Sequence, residues 1–347
     1  MGHKIKVLMT GAGAPGGPGI YKALDSQANF DVYICDMNIN ASGRFLSPKR
    51  FEVIPPASDE EFIPRMLELC GRLDIDVVFP LVTMELFKFS EAKSLFAEHG
   101  VKVIVSDSSS LHLANDKGRL YQHLLGHNIK LPEFFLVDSV NELRERCYQL
   151  GYPDQPVVIK PAIGNGSRGI RILDESCNRY DLLFNYKPSS LYSNLNDVVS
   201  AIGQQDIPEM VVSEFLPGRE ITIDTIVDNG VMMQCLLRTR DSMNNGISTS
   251  GRFINDIAVT DYIENIVNSL PNLRGPVGFQ VKESTNGDYL LLESNPRIQG
   301  TSVAALGLGI NLPAKAVNLE LGFEIDDTSP NSGIGFSRYY SEVFYDL

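Results

Sequence analysis

The sequence predicts a doubly wound parallel α/β unit followed by an α+β region built from hairpins. Three observations carry that reading. Over residues 1–105, short apolar runs alternate with longer amphipathic ones, the order that gives parallel strands joined by crossover helices. Over 157–173, two apolar runs flank the loop Pro161-Ala-Ile-Gly164-Asn-Gly166-Ser167-Arg168-Gly169, so strand leads to strand and not to a helix. Over 278–301, GFQVKESTNGDYLLLESNPRIQGT, alternating runs flank Asn286-Gly287, the strongest short signal for a two-residue hairpin turn.

In chain order, strands are expected at 6–10, 31–35, 77–81 and 102–105, with helices at 19–26, 59–72 and 85–99. Between the first strand and its helix lies Gly11-Ala-Gly13-Ala-Pro-Gly16, and Asp36 follows 20 residues after Gly16. That is the spacing of a dinucleotide fingerprint, with glycines for close pyrophosphate approach and the acid for a ribose hydroxyl. An NAD-dependent oxidoreductase or epimerase built on this loop is therefore the competing reading, although Pro15 and Pro18 crowd the turn.

The serine run 106–110 marks a boundary, and a helix over 111–126 carries Asn115-Asp116-Lys117. A strand at 134–137 precedes a helix at 139–150, opened by Ser139 with Glu142 three residues on. The strand 157–160 ends in Lys160, a point charge at the base of the glycine loop. Three glycines at such a tip expose backbone N–H groups that can close over phosphates, and they also suit a plain tight turn. A strand resumes at 170–173, and residues 174–205 read as a helix with a long polar excursion. Strands at 209–216 and 221–227 meet at Pro217-Gly218-Arg219-Glu220, bracketed by Glu214 and Glu220. The next strand, 231–240, puts Arg238 and Arg240 on one face, which suits an anion, and runs into a polar loop over 241–251. A helix at 260–270 leads into the hairpin; helices at 301–308 and 312–321 and a tail from 335 follow. The expected domains are 1–110, 111–212 and 213–347.

With a two-residue turn, Phe279 faces Ser294, Gln280 faces Glu293, Val281 faces Leu292 and Glu283 faces Leu290. Phe279, Val281, Leu290 and Leu292 then share a packing face, into which Glu283 also points, and Gln280, Lys282, Ser284, Glu293 and Asn295 share the other. Opposed Cβ atoms lie about 5 Å apart, so Gln280, Glu293 and Asn295 converge on one or two small cations. Carboxylate and amide oxygens suit a hard ion such as Mg²⁺ that shares substrate phosphates. A solvated outer face is the plainer alternative for the hairpin alone.

A net charge of −13 argues against a nonspecific grip on nucleic acid or anionic lipid. Five scattered cysteines without a CxxC pair read as reduced thiols of a cytoplasmic protein, and no apolar run is long enough for a membrane span.

The order of these parts resembles the ATP-grasp superfamily, and most closely one synthetase unit of the carbamoyl phosphate synthetase large chain. The likeness covers roughly residues 1–325 and rests on VVIKPAIGNGSRGI, the Glu-bracketed strand turn and the Glu-x-Asn-Pro-Arg end of the hairpin. It implies an ATP-grasp fold of two α+β subdomains behind the N-terminal domain, with ATP between the layers. By position, Lys117 and Lys160 hold phosphates, and Gly164, Gly166, Ser167 and Gly169 form the lid. Glu214, Phe215 and Leu216 line the adenine pocket, and Glu220 holds the ribose hydroxyls. Gln280, Glu293 and Asn295 ligate one or two Mg²⁺, replaceable by Mn²⁺. Arg297, Lys160 and Arg240 are the catalytic cations, with Arg297 on the transferred phosphoryl group. The implied activity is an ATP- and Mg-dependent ligase that activates a carboxylate as an acyl-phosphate for attack by an amine, in a homodimer with small-molecule substrates. Only one synthetase unit and no glutaminase are present, so carbamoyl phosphate is not the expected product. Glu85, after PLVTM, is expected to help seat the acceptor.

Overall fold

The first sheet forms because its inner strands are apolar on both sides and helices cover both faces. In the computed structural model, which describes residues 4–345 except 165, 167, 187–189, 245 and 327–332, this part runs β1 (Ile5–Met9), α1 (Gly17–Asp25), β2 (Phe30–Asp36), α2 (Ser42–Leu46), β3 (Phe51–Val53) and α3 (Phe62–Leu73). It continues with β4 (Val77–Phe79), α4 (Thr83–Glu91), α5 (Lys93–Glu98) and β5 (Lys102–Val103). All pairings are parallel, in the order β3-β2-β1-β4-β5. The winding direction reverses between β1 and β4, which opens a crevice at their carboxyl ends. Three details differ from expectation. Helix α2 and the edge strand Phe51–Val53 are added, and the helix expected over 85–99 is two helices that part at Ala92.

The second part comprises α6 (Ser108–Asn115), α7 (Lys117–Gly126), β6 (Phe134–Val137), α8 (Val140–Gln149), β7 (Val157–Pro161) and β8 (Arg171–Leu173). It ends with α9 (Arg179–Phe184), β9 (Tyr192–Ser193), α10 (Leu195–Ile202) and β10 (Met210–Glu214). The sheet order is β6-β10-β7-β8-β9. The single helix expected over 111–126 breaks at Asp116, whose extended backbone (φ −98°, ψ 109°) and side chain cap α7 through the Arg119 amide at 3.1 Å. An Asp that bonds the backbone locally favours a cap over a helix interior. Lys117 thereby becomes the first residue of a helix. The stretch 174–205 holds two short helices and a strand where one interrupted helix was expected.

The third part comprises β11 (Glu220–Asp228), β12 (Val231–Thr239), β13 (Ser242–Asn244), β14 (Ile247–Ile254), α11 (Ile257–Asn268), β15 (Gly275–Glu283), β16 (Tyr289–Asn295), α12 (Leu312–Leu321) and β17 (Gly335–Ser337). Its antiparallel order is β13-β14-β12-β11-β15-β16, with β17 on β14. The expected polar loop over 241–251 is corrected to a hairpin of β13 and β14; its Ser and Thr residues alternate as a strand does and hide the apolar signal. Helix α11 starts earlier than expected because Asp256 caps it through the Val259 amide. Residues 302–308 form a 3₁₀ turn.

One face of the third sheet, with Ile221, Ile223, Leu237, Val277, Phe279, Val281 and Leu291, packs into a core with α7 and α11. On the other face, Ile226 and Leu236 join the core of the first sheet together with Ile298 and α12. Alternation puts Thr222, Asp224, Arg238 and Gln280 on that second face, towards the first sheet. Among the described residues, no helix is long and apolar enough to cross a membrane.

Candidate functional site

The hairpin brings Gln280, Glu293 and Asn295 to one face, as expected, but by a different route. Gln280 pairs with Glu293, Phe279 with Ser294 and Gly278 with Asn295, as expected. Below Gln280 the pairing shifts, so Val281 meets Leu291 and Glu283 meets Tyr289, not Leu292 and Leu290. The turn is one residue longer than Asn286-Gly287 alone. The Gly287 amide donates to Ser284 O at 3.1 Å, Ser284 pairs with Asp288 at 2.8 Å, and Gly287 has φ 84°. This is a type I turn closed by a left-handed glycine. A bulge at Leu292 then inserts one residue and restores the register before Glu293. The two one-residue offsets cancel at the face that matters. Glu283, expected to point into the apolar face, reaches the Arg219 guanidinium at 3.5 Å.

The bulge also turns backbone oxygens outward. Leu292 O accepts from Lys160 Nζ at 2.9 Å, and Tyr121 Oη lies 2.6 Å from Leu291 O and 3.1 Å from Lys160 Nζ. Lys160 is 5% exposed. Burial first, and the Lys117 charge second, push its ammonium down to about 7, with Glu293 pulling the other way. Lys117 Nζ lies 3.6 Å from Glu293 Oε2 and 3.4 Å from Gly164 O. Asn295 Nδ2 donates to Glu293 Oε1 at 3.1 Å. Two ammonium groups, one carboxylate and two amides thus gather under the glycine loop. Tyr121, which ties Lys160 to the bulge, was not singled out from sequence; its place four residues after Lys117, on the same helix face, is the signal that could have found it.

Among the described residues, a Cβ on Gly164 would meet nothing closer than Pro161 Cβ at 3.6 Å and one on Gly166 nothing closer than Arg168 Nη1 at 3.5 Å, while a Cβ on Gly169 (φ 75°) would lie 2.7 Å from Pro161 Cγ. Ser167 lies outside the described residues.

Across the third sheet, residues line up in rows set by the registers. Arg238, Thr222, Gln280 and Glu293 form one row; Glu220 and Lys282 lie in the next, and Arg240, two residues beyond Arg238, falls in line with them. Arg240 N–H groups bind Glu220 Oε1 at 2.7 Å and Gly246 O at 2.5 Å. The geometry therefore puts Arg240 with the Glu220 row, one pleat from the row of Gln280 and Glu293. Burial raises the Glu220 carboxyl against the pull of Arg240 and Lys282. Lys282 Nζ sits 4.8 Å from the Phe215 ring centre. Glu214 Oε1 accepts from the Glu133 amide at 2.9 Å, and Leu216 is buried. Arg238 is 1% exposed and gives Nε to Asp224 Oδ2 at 2.7 Å; its two terminal nitrogens and Thr222 Oγ1 have no hydrogen-bond partner among the described residues.

Arg297 closes the far side. Its Nε donates to Thr83 Oγ1 at 3.1 Å and Nη1 to Ile298 O at 2.9 Å, and burial lowers its pKa while Glu293 opposes the shift. Thr83 opens α4, so Arg297 spans from the hairpin to the first sheet.

The first glycine loop is packed into the fold. A Cβ on Gly16 would lie 2.2 Å from Gly300 Cα, and one on Gly17 would lie 2.8 Å from Ala12 O. Asp36 Oδ2 accepts from the Gly13 amide and Oδ1 from the Asn38 amide, both at 2.8 Å. The glycines expected to approach a pyrophosphate let two layers meet, and the acid expected on a ribose ties down its own loop.

A divalent ion fits the hairpin as a shared ligand. Among the described residues no three or more His, Cys, Asp or Glu side chains cluster as a metal cage. One carboxylate and two amides suit a hard ion whose remaining ligands are water and phosphate oxygens.

Residues 206–338 match the family described as ATP-grasp in the biosynthetic pathway with Ter operon, and residues 7–104 match the PylC-like, N-terminal domain. The carbamoyl phosphate synthase large chain of Thermoanaerobacter pseudethanolicus is 24% identical over 285 residues, covering 76% of this chain. The chain spans about a quarter, 24%, of that relative's length. In three dimensions the chain is similar to the biotin carboxylase domain dimer of the Hydrogenobacter thermophilus 2-oxoglutarate carboxylase, in complex with MgADP, ADP and bicarbonate. The TM-score is 0.68 at 16% identity, covering 96% of this chain and 74% of that one. An L-amino acid ligase from Bacillus licheniformis matches with a TM-score of 0.63 at 15% identity, covering 93% and 75%.

Proposed function

We propose that this chain, with residues 206–338 matching an ATP-grasp family and residues 7–104 the PylC-like, N-terminal domain, is an ATP- and Mg-dependent ligase that joins a carboxylate to an amine. The observation that carries this reading is the convergence of Lys117, Lys160, Gln280, Glu293 and Asn295 beneath the 161–169 loop. The triphosphate lies along the two ammonium groups, with the adenosine between the Glu214–Leu216 segment and the Glu220 row. Gln280, Glu293 and Asn295 hold one or two Mg²⁺, which neutralise phosphate charge when bound.

A carboxylate oxygen attacks the γ-phosphorus; the new O–P bond forms as the bridging P–O bond to ADP breaks. Lys160 enters this site with its charge weakly held, and the triphosphate restores it by opposite-charge stabilisation. Arg297, fixed by Thr83, faces the transferred phosphoryl group. An amine then displaces phosphate from the acyl-phosphate. The glycine loop, closed, keeps water from that intermediate. We place this activity in the cytoplasm, in a homodimer acting on small molecules.

The test is ATP-dependent ADP release by the intact chain against a panel of carboxylates and amines, repeated with Glu293→Ala. Removal of the one carboxylate in the donor set is expected to lower turnover about 100-fold. Full activity in that variant overturns the assignment.

A further inference from the structure

We propose that Glu85, held by Thr10 at the carboxyl end of the first sheet, binds the ammonium of the amine substrate and takes its proton. This rests on the ligase reading and assigns its second half-reaction. Thr10 directly follows β1, and Glu85 lies in the first turn of α4, directly beyond β4. Those strands flank the point where the winding reverses, the crevice in which doubly wound sheets bind ligands.

The carboxylate is 7% exposed and, among the described residues, is held by a single hydrogen bond, from Thr10 Oγ1 to Oε2. Thr10 Oγ1 in turn accepts from the Leu81 amide at 3.3 Å. No protein cation is among the influences on Glu85; the charge it feels is that of Asp36, another anion. Other acids in the protein's interior are treated differently. Asp224 has Arg238 at 2.7 Å, Glu220 has Arg240 at 2.7 Å, and Glu320 has Arg274 at 3.0 Å. A buried carboxylate without a cation is costly unless it is neutralised by a proton or a bound cation. A ligand cation supplies what the chain withholds.

The place is also right for the reaction. Thr83, two residues before Glu85, accepts from Arg297, whose guanidinium feels the Glu293 charge. Arg297 therefore ties the first turn of α4, which carries Glu85, to the end of the hairpin. Burial raises the Glu85 carboxyl to about 7, a value suited to accepting a proton near neutral pH.

The ammonium gives one proton to the Glu85 carboxylate, and the freed lone pair attacks the acyl carbon. The C–N bond forms as the C–O bond to phosphate breaks. The second proton from nitrogen leaves with phosphate as hydrogen phosphate, and the Glu85 proton returns to solvent after release.

The experiment measures carboxylate-dependent ADP release and amide formation by the intact chain with three amine arms: ammonium chloride, 1,4-diaminobutane and the L-amino acids. It then compares Glu85→Gln and Glu85→Asp. In the arm that stimulates the wild type, Glu85→Gln is expected to raise the half-saturating amine concentration at least 10-fold, with Mg-ATP half-saturation within twofold. Glu85→Asp, which keeps the charge, is expected to fall between. An unchanged amine response in Glu85→Gln overturns the proposal. So does equal weakening of amine and Mg-ATP, or a wild type that releases ADP with a carboxylate and answers to no amine. Absence of any carboxylate-dependent ADP release removes the ligase reading itself, and this assignment with it. Glu85→Gln retains an oxygen to accept from Thr10, and its melting temperature, measured alongside, separates a folding defect from lost binding.

Discussion

Two glycine-rich loops look alike in the sequence and do opposite work in the fold. The loop at 11–17 is sealed: Gly16 backs onto Gly300, Gly11 (φ 65°) backs onto Val82 and Leu81, and Asp36 pins Gly13. The loop at 161–169 is open at Gly164, where, among the described residues, a Cβ would meet nothing closer than Pro161 at 3.6 Å. Each loop adjoins a buried titratable group of opposite sign. Glu85, through Thr10, sits at the foot of the first; Lys160, with Lys117 beside it, sits at the foot of the second. The same composition thus meets packed backbone in one place and open space at Gly164 in the other. What separates the two is the backbone each loop meets, and that is a property of the tertiary fold.

The largest expected effect falls on the open side. Lys160→Met removes the phosphate charge and is expected to lower ADP release about 100-fold, while the unliganded protein at pH 7 melts no lower than wild type. A variant that keeps its turnover breaks the comparison, because the second loop would then cover nothing that matters.

Gly16→Ala attacks the sealed side. Backbone meets backbone at 2.2 Å there, so no side chain can swing away. The variant is expected to lose about 3 kcal/mol, read as a drop of roughly 6 °C in the melting temperature.

The pH dependence sharpens the contrast in sign. Lys160 has a folded value of about 7, below its ordinary 10.5, so between those values the unfolded chain binds more protons. Its burial penalty is full below about 7 and fades as pH rises, by at most ~1.4 kcal/mol per pH unit. Glu85 has a folded value of about 7, above its ordinary 4.5, so its penalty grows as pH rises through that window and is complete above about 7. Melting curves are expected to show Lys160→Met gaining on wild type most at pH 6–7 and least near pH 10. Glu85→Gln is expected to gain most at pH 8 and least near pH 4.5. Parallel curves for either variant remove the titration argument for that group.

The smallest effect is the control. Gly164→Ala places its Cβ in ordinary contact with Pro161 and is expected to change stability by less than about 0.5 kcal/mol by the same melting measurement.

Much of this was legible in the chain. Alternation gave the parallel first sheet, and the pairing of Gln280 with Glu293 followed from the apolar period and the turn. The route to that pairing was not legible. Gly287 sets a longer turn, and the bulge at Leu292 compensates for it, because Lys160 and Tyr121 draw the Leu291 and Leu292 carbonyls outward. Pair patterns carry no trace of such distant partners. Asp116 concealed the break that starts a helix at Lys117, since an Asp reads equally as helix surface or as cap. Alternation puts Arg238 and Arg240 on one face without ranking them; only the register shows that Arg238 stands in the row with Gln280 and Glu293. The first loop was ambiguous for the same kind of reason. Nothing near Gly16 in sequence announces Gly300.

The most direct test of the central claim is ligand-dependent melting of the intact chain with Mg-ATP and with NADH, side by side. The open second loop over Lys117, Lys160 and the Gln280–Glu293–Asn295 face calls for a clear upward shift with Mg-ATP, reduced in Lys160→Met, and none with NADH. A shift with NADH and none with Mg-ATP would contradict it and hand the nucleotide to the first loop.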